Sequence, residues 1–217
     1  MTSPQDSTAP FATHPKQFTQ ERARKTYEGL IAAAAELFAE GGFDTTQTPD
    51  IAAAAGVSVG TFYRYFDDKR EVFLEVLRRF LADAYQDVVG RLTPERFVGR
   101  GQREAIDECL AVLVEHTVGA SNLQRVFYEM ALRDEEVASL RRRFDDEALS
   151  RITDIIALAV PADRASDPEA MAFVIQTAAV ELAVGLSGMR GPAPVSKRRT
   201  LEALAALIEQ ALFPPLD

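Results

Sequence analysis

Apolar residues recur three and four positions apart along almost the whole chain, while β-branched alternation is scarce. That spacing marks one face of an α-helix, so the chain is expected to be all-α, with about nine helices. Its punctuation divides it. From Thr19 to Glu40, Leu30, Ala34, Leu37 and Phe38 share a face, and Gly41-Gly42 ends the helix. Thr48 is expected as an N-cap, with Pro49 in the first turn of a short helix (Ile51, Ala52, Ala55) stopped by Gly56. Ser58 opens another very short helix running through Tyr63 and Tyr65. Asp67 is expected to cap a longer one from about Asp68 to Val89, with Phe73, Val76, Leu77, Phe80 and Leu81 inward. Beyond Gly90, helical patterns fall at 102–118, 121–132, 134–159, 167–189 and 196–213. The expected organisation is a leader over 1–17, a three-helix head over 18–66, a connecting helix over 67–92 and an all-α body over 93–217.

Composition narrows the class. A hydrophobic share of 47% supports a true core, and a pI of 4.9 with net charge −9 excludes a protein that coats nucleic acid by bulk attraction. Cys109 is the only cysteine, so no intrachain disulfide is possible and a reducing, cytoplasmic location fits. Met1 to Pro15 is polar and Pro-bearing, which reads as a disordered leader and not as a secretory signal. Ala170 to Met189 is apolar but interrupted by Gln176, Glu181 and Gly185, so a buried helix is expected there and no membrane span. With His14 and His116 as the only histidines, no catalytic triad or metal cluster can be assembled. No enzyme activity, cofactor or metal is expected. Glu104, Asp107, Glu108 and Glu115 recur at helical spacing and read as a solvated face.

The informative stretch runs from Thr48 to Phe66. Two short helices meet at a turn containing Gly56, with the small residues Ala52 and Ala55 where they would cross. This is the sequence form of a helix-turn-helix, whose second helix enters the DNA major groove. Gly56 lets the chain reverse, Val57 plugs the interior, and Ser58 caps the second helix. Phe62 and Phe66, four apart, anchor that helix inward. Val59, Gly60, Thr61, Tyr63, Arg64 and Tyr65 are left on outer surfaces.

Glu36-Leu-Phe-Ala-Glu-Gly-Gly-Phe43, Asp50-Ile-Ala52, Ala55-Gly-Val-Ser58, Gly60-Thr-Phe-Tyr63, Tyr65-Phe66 and Lys69 together resemble the N-terminal domain of the TetR family of bacterial regulators. The resemblance covers roughly residues 22–80. It implies a dimeric, all-α, DNA-binding repressor whose body binds a small ligand that releases the operator. It also implies that Val59, Gly60, Thr61, Tyr63, Arg64 and Tyr65 face DNA, that Tyr63 and Lys69 touch phosphates, and that Thr46 and Thr48 approach the backbone. Three departures matter. Tyr27 stands where many members carry arginine, which shifts a backbone contact towards Arg22, Arg24 or Lys25. Pro49 replaces a common basic residue. Val59 stands where a polar reader is frequent; it can meet a thymine methyl but cannot hydrogen-bond a base. Arg64 and Thr61 are therefore expected to carry more of the readout.

In the body, Phe80, Leu113, His116, Phe127, Met130 and Phe173 are candidates to line a pocket, and a hydrophobic or amphipathic small molecule is the expected effector. Met171 to Met189 is apolar nearly all round, and a helix apolar on both faces must bury both. Val174, Ala178, Leu182 and Gly185, with the stripe Leu201, Leu204, Ala205, Ile208 and Leu212, are expected to form a homodimer interface as a four-helix bundle. A competing reading is a helical enzyme or lipid carrier that retains a helix-turn-helix-like head. Charge distribution does not exclude a regulator that docks through a few placed cations. Residues 16–70 hold seven basic and eight acidic side chains, whereas those from Glu71 onward hold 17 basic and 24 acidic. The excess negative charge therefore lies mostly outside the head.

Overall fold

The computed structural model describes residues 20–98, 101–162 and 164–213. The expected leader, with His14 and Lys16, lies outside the described residues, as does the closing Pro214-Pro215. The chain is all-α, with no strand among the described residues. It forms two compact units. The first takes in described residues up to Asp83 together with Asn122–Arg141, and the second takes in Ala84–Ser121 and the described residues from Arg142 onward. This differs from the expected division in two ways. The connecting helix is shared between the units, and residues 122–141 belong with the head.

In the first unit, α1 (Glu21–Gly41) ends where Gly42 adopts φ +84°, and the Gly42 N–H donates to Phe38 O at 2.9 Å. Thr46 then donates its hydroxyl to Gly42 O at 2.8 Å and Leu37 O at 3.2 Å, satisfying carbonyls that the helix end leaves open. The α2 helix (Thr48–Ala54) is capped by Gln47, one residue earlier than expected. Asp50 accepts the Gln47 N–H at 3.2 Å, which places Thr48 and Pro49 inside the first turn. Gly56 takes φ +67° in the turn that leads to α3 (Val59–Phe62). The cap of α4 (Lys69–Asp87) is also displaced by one: Asp68 Oδ1 accepts the Glu71 N–H at 2.8 Å, while the Glu71 carboxylate accepts the Asp67 N–H at 2.5 Å.

Leu30, Phe38, Ile51, Phe62, Phe66 and Phe73 are fully buried and bind these four helices together. Tyr27 stacks on Phe66 at 5.1 Å and is buried, so its phenol is held well above its ordinary pKa, first by desolvation and then by the Glu75 carboxylate. The helix α6 (Ser121–Ala131) joins this unit because Phe127 packs on Phe73 at 5.4 Å and on Phe80 at 5.2 Å.

In the second unit, α5 (Gln102–Gly119) packs against α8 (Pro168–Leu186) and α9 (Lys197–Leu212), alongside α7 (Glu135–Ala159) from Arg142 onward. Asp167 caps α8 by accepting the Ala170 N–H at 3.0 Å, and Pro168 follows at the first position. Glu108 pairs with Arg91 and Arg96, Asp107 with Arg103, and Glu115 with Lys197, so these carboxylates do form a solvated, ion-paired face.

One expectation for the last helices is corrected. Ala205, Ile208 and Leu212 are buried in the unit's own core, and Leu201 and Leu204 pack against that core. The α9 stripe thus serves this chain's interior, because an amphipathic helix buries its one apolar face at home first. The α8 helix keeps the second apolar face that was expected to need a partner. It is long and apolar enough to cross a membrane, yet only 22% of its apolar window is buried. Ala172, Ala179, Ala183 and Val184 face the core, while Phe173, Val174 and Ala178 face out. Of the proposed interface residues on α8, Leu182 and Gly185 are half-buried and line an outward cleft of about 440 Å³ with Leu186, Pro194 and Val195.

Candidate nucleic-acid interface

A four-residue helix has no stability of its own, so α3 must be held by its surroundings. Phe62 and Phe66, four apart and 5.6 Å between ring centres, bury its inner side. Ser58 closes its start: Oγ accepts the Thr61 N–H at 3.1 Å and lies 2.9 Å from Thr61 Oγ1. Replacing this cap by alanine should cost about 1 kcal/mol. A urea titration of Ser58→Ala with no change in midpoint would contradict the assigned cap.

The capping also revises the expected readout. The Thr61 hydroxyl is turned towards Ser58 and the residue is half-buried, so capping shares the hydroxyl that was expected to read bases. Val59 (37% exposed), Gly60, Tyr63 (55% exposed) and Arg64 form the open surface of α3. Tyr65 is half-buried and lies 6.1 Å from the Tyr27 ring, so it belongs to the packing beneath. Arg22 and Lys25 are exposed on the first turns of α1. Arg24, beside them, is paired with Glu21, which raises its pKa and lowers that of Glu21.

Two residues expected to approach the DNA backbone also hold protein carbonyls. Thr46 is buried with its hydroxyl spent on α1, as described above. Lys69 donates Nζ to Phe43 O at 2.7 Å and Thr46 O at 2.8 Å, with burial lowering its pKa. Thr48 is half-buried at the start of α2.

The pocket candidates divide between the units. Phe80, Phe127 and Met130 belong to the first, where Phe127 and Met130 are buried. Leu113 and His116 are half-buried on α5 in the second, with Leu113 packed on its core. Phe173 is 59% exposed on α8 and does not line an interior. Sequence reading also missed the ion pairs of the first unit, because their partners lie more than fifty residues apart: Arg70 with Asp134 and Glu136, and Arg79 with Glu28.

Two short helices around a glycine turn, the second anchored by buried aromatics and open on its far side, define a helix-turn-helix head on an all-α chain. Residues 30–76 match the family profile described as bacterial regulatory proteins, tetR family. The head is thus similar to the DNA-binding domain of TetR-family regulators. It is 42% identical over 86 residues to the transcriptional repressor KstR2 of Rhodococcus jostii, a match covering 36% of this chain and 42% of that protein. The first curated relatives are matched over less than half of their own length. An uncharacterized transcriptional regulator of Mycobacterium bovis is 27% identical over 202 residues, covering 89% of this chain and 97% of its own. A crystal structure of a TetR-family regulator from Mesorhizobium loti superposes with a TM-score of 0.69 at 20% identity, covering 88% of this chain and 97% of the other.

Proposed function

We propose that this chain is a sequence-specific, DNA-binding transcriptional repressor that acts as a homodimer on a palindromic operator. A small hydrophobic or amphipathic ligand held by the body releases it. The observation that carries the reading is the outer surface of α3: a capped, aromatic-anchored helix that keeps Val59, Gly60, Tyr63 and Arg64 uncovered. Arg64 supplies the hydrogen-bonding and charged reach, Val59 meets a thymine methyl, and Tyr63, Arg22 and Lys25 touch the phosphate backbone. The protein acts where the DNA is, in the cytoplasm.

A second copy is the occupant assigned to the open face of α8 and α9. Phe173, Val174 and Ala178 on one helix, with Leu207 and Ala203 on the other, are exposed and apolar or small. Two such faces related by a two-fold axis form a self-complementary bundle. The resulting dimer sets the spacing of the two recognition helices. The effector changes that spacing by binding the DNA-incompetent state more tightly, with a coupling of roughly 1–3 kcal/mol.

Selection of duplexes by the wild-type protein from a random-sequence pool tests the reading. A palindromic sequence should emerge, with salt-sensitive binding. Against that sequence Arg64→Ala should lose about 1–3 kcal/mol and relax preference at one position of each half-site. Equal losses on every sequence would remove Arg64 from the reading of bases, and failure to select any sequence would remove the function.

A further inference from the structure

Lys69, the first residue of α4, has its ammonium turned back onto the protein. Its ammonium has three N–H donors, and two of them reach Phe43 O at 2.7 Å and Thr46 O at 2.8 Å. It also lies 4.4 Å from the centre of the Phe43 ring. Both carbonyls belong to the loop between α1 and α2, and Thr46 stands one residue before the Gln47 cap of α2.

The neighbouring side chains close the arrangement. Arg70 grips both carboxylate oxygens of Asp134, at 2.6 and 2.9 Å, and Glu136 at 3.1 Å. Asp134 in turn accepts the N–H groups of Glu136 at 3.0 Å and Val137 at 3.3 Å, so it is fixed at the start of α7. Arg133, the residue before it, pairs at 2.9 Å with Asp44, which lies between Phe43 and Thr46, the residues whose carbonyls accept from Lys69. Three segments of the first unit thus meet in a ring: the α1–α2 loop, the first turn of α4 and the α6–α7 turn. The Arg133–Asp44 pair is exposed and therefore weak. The stronger links are the paired bonds of Lys69 and the bidentate bond of Arg70.

We propose that Lys69 is a positioning residue for the DNA-reading helix pair and not a phosphate ligand: with Arg70 and Arg133 it closes a clasp that fixes the α1–α2 loop, and with it the start of α2, against α4. The proposal rests on the DNA-binding reading for its consequence but not for its geometry. A recognition surface works only when held within about 0.5 Å of its productive position. The clasp supplies that constraint at the end of α2 remote from the Gly56 turn. It also ties the loop to the α6–α7 turn, so any shift of that turn is felt at α2 without passing along α4.

The test compares Lys69→Met with wild type in two measurements. The first is binding to the duplex that wild type selects, at several salt concentrations. Affinity should fall about tenfold throughout, with the slope of log affinity against log salt unchanged. Loss of a phosphate contact would lower that slope by about one, and such a change overturns the proposal whatever else is seen. The second is amide hydrogen exchange of the free protein. The α1–α2 loop and α2 should exchange faster in the variant, which loss of a surface phosphate ligand would not cause; unchanged exchange also overturns the proposal. Arg133→Asp should quicken the same amides, and adding Asp44→Arg should restore them. Failure of that swap to restore protection removes Arg133 from the clasp. If wild type selects no duplex, the functional reading falls while the exchange measurements still decide the clasp.

Discussion

Val174→Arg is expected to leave the fold intact, convert the protein to a monomer and lower operator affinity by roughly 10²–10⁴-fold. Val174 is 65% exposed on α8, so the substitution disturbs no packing within the chain, and arginine is a better helix former than valine. Its only large cost arises when a second copy covers that face, because an unpaired guanidinium would then be buried in an apolar seam. The expected affinity loss follows from the proposed dimer. One short recognition helix reads a few base pairs, and a second held at a fixed spacing would bind effectively intramolecularly. Sedimentation should move the mass to that of one 23.8 kDa chain, with an unchanged thermal transition. Leu158→Arg is the control. Leu158 is 69% exposed on α7, a helix not assigned to the proposed face, and should change neither mass nor affinity. A Val174→Arg protein that remains dimeric would remove α8 from the interface.

The sequence made the helices legible because their signals are local. The patterns at 102–118, 121–132 and 134–159 correspond to observed helices at Gln102–Gly119, Ser121–Ala131 and Glu135–Ala159. Caps were displaced by one residue at α2 and α4 because Gln47 and Asp68 found better partners in Asp50 and Glu71 than the residues beside them. Periodicity cannot say which apolar face is home. The continuous stripe from Leu201 to Leu212 is the better core, so it was taken by the interior, while Val174 and Leu207 were left outside. Side-chain partners were least legible. Nothing near Lys69 in the chain shows that it reaches loop carbonyls 23 and 26 residues back, whereas the Ser58 cap that engages Thr61 is local and was legible. Family resemblance placed these residues at an interface by position; local hydrogen-bond competition decided where their polar atoms went. Tyr27 shows the same rule in reverse. Where the resemblance leads one to expect a surface arginine, Tyr27 is a buried stacking partner of Phe66, part of the base on which α3 sits.

Phe62→Ala should remove that base. Phe62 is fully buried, 5.6 Å from the Phe66 ring and 5.5 Å from the Tyr63 ring, at the last position of the four-residue α3. Truncating a buried phenylalanine costs about 3–5 kcal/mol in lost transfer energy and cavity. Here the loss falls on one of the two aromatic anchors of a helix too short to survive without them. Because the chain forms two compact units, the damage should be local. Amide exchange should quicken across α1, α2 and α3, while α5, α8 and α9 keep their protection and most of the helical circular dichroism remains. Binding to the selected duplex should disappear at temperatures where the dimer is still intact by sedimentation. Phe62→Leu, which keeps most of the apolar volume, should recover much of both. If Phe62→Ala instead binds like wild type, α3 is held by something other than its aromatic anchors. If α8 and α9 lose protection together with the head, the two units unfold as one.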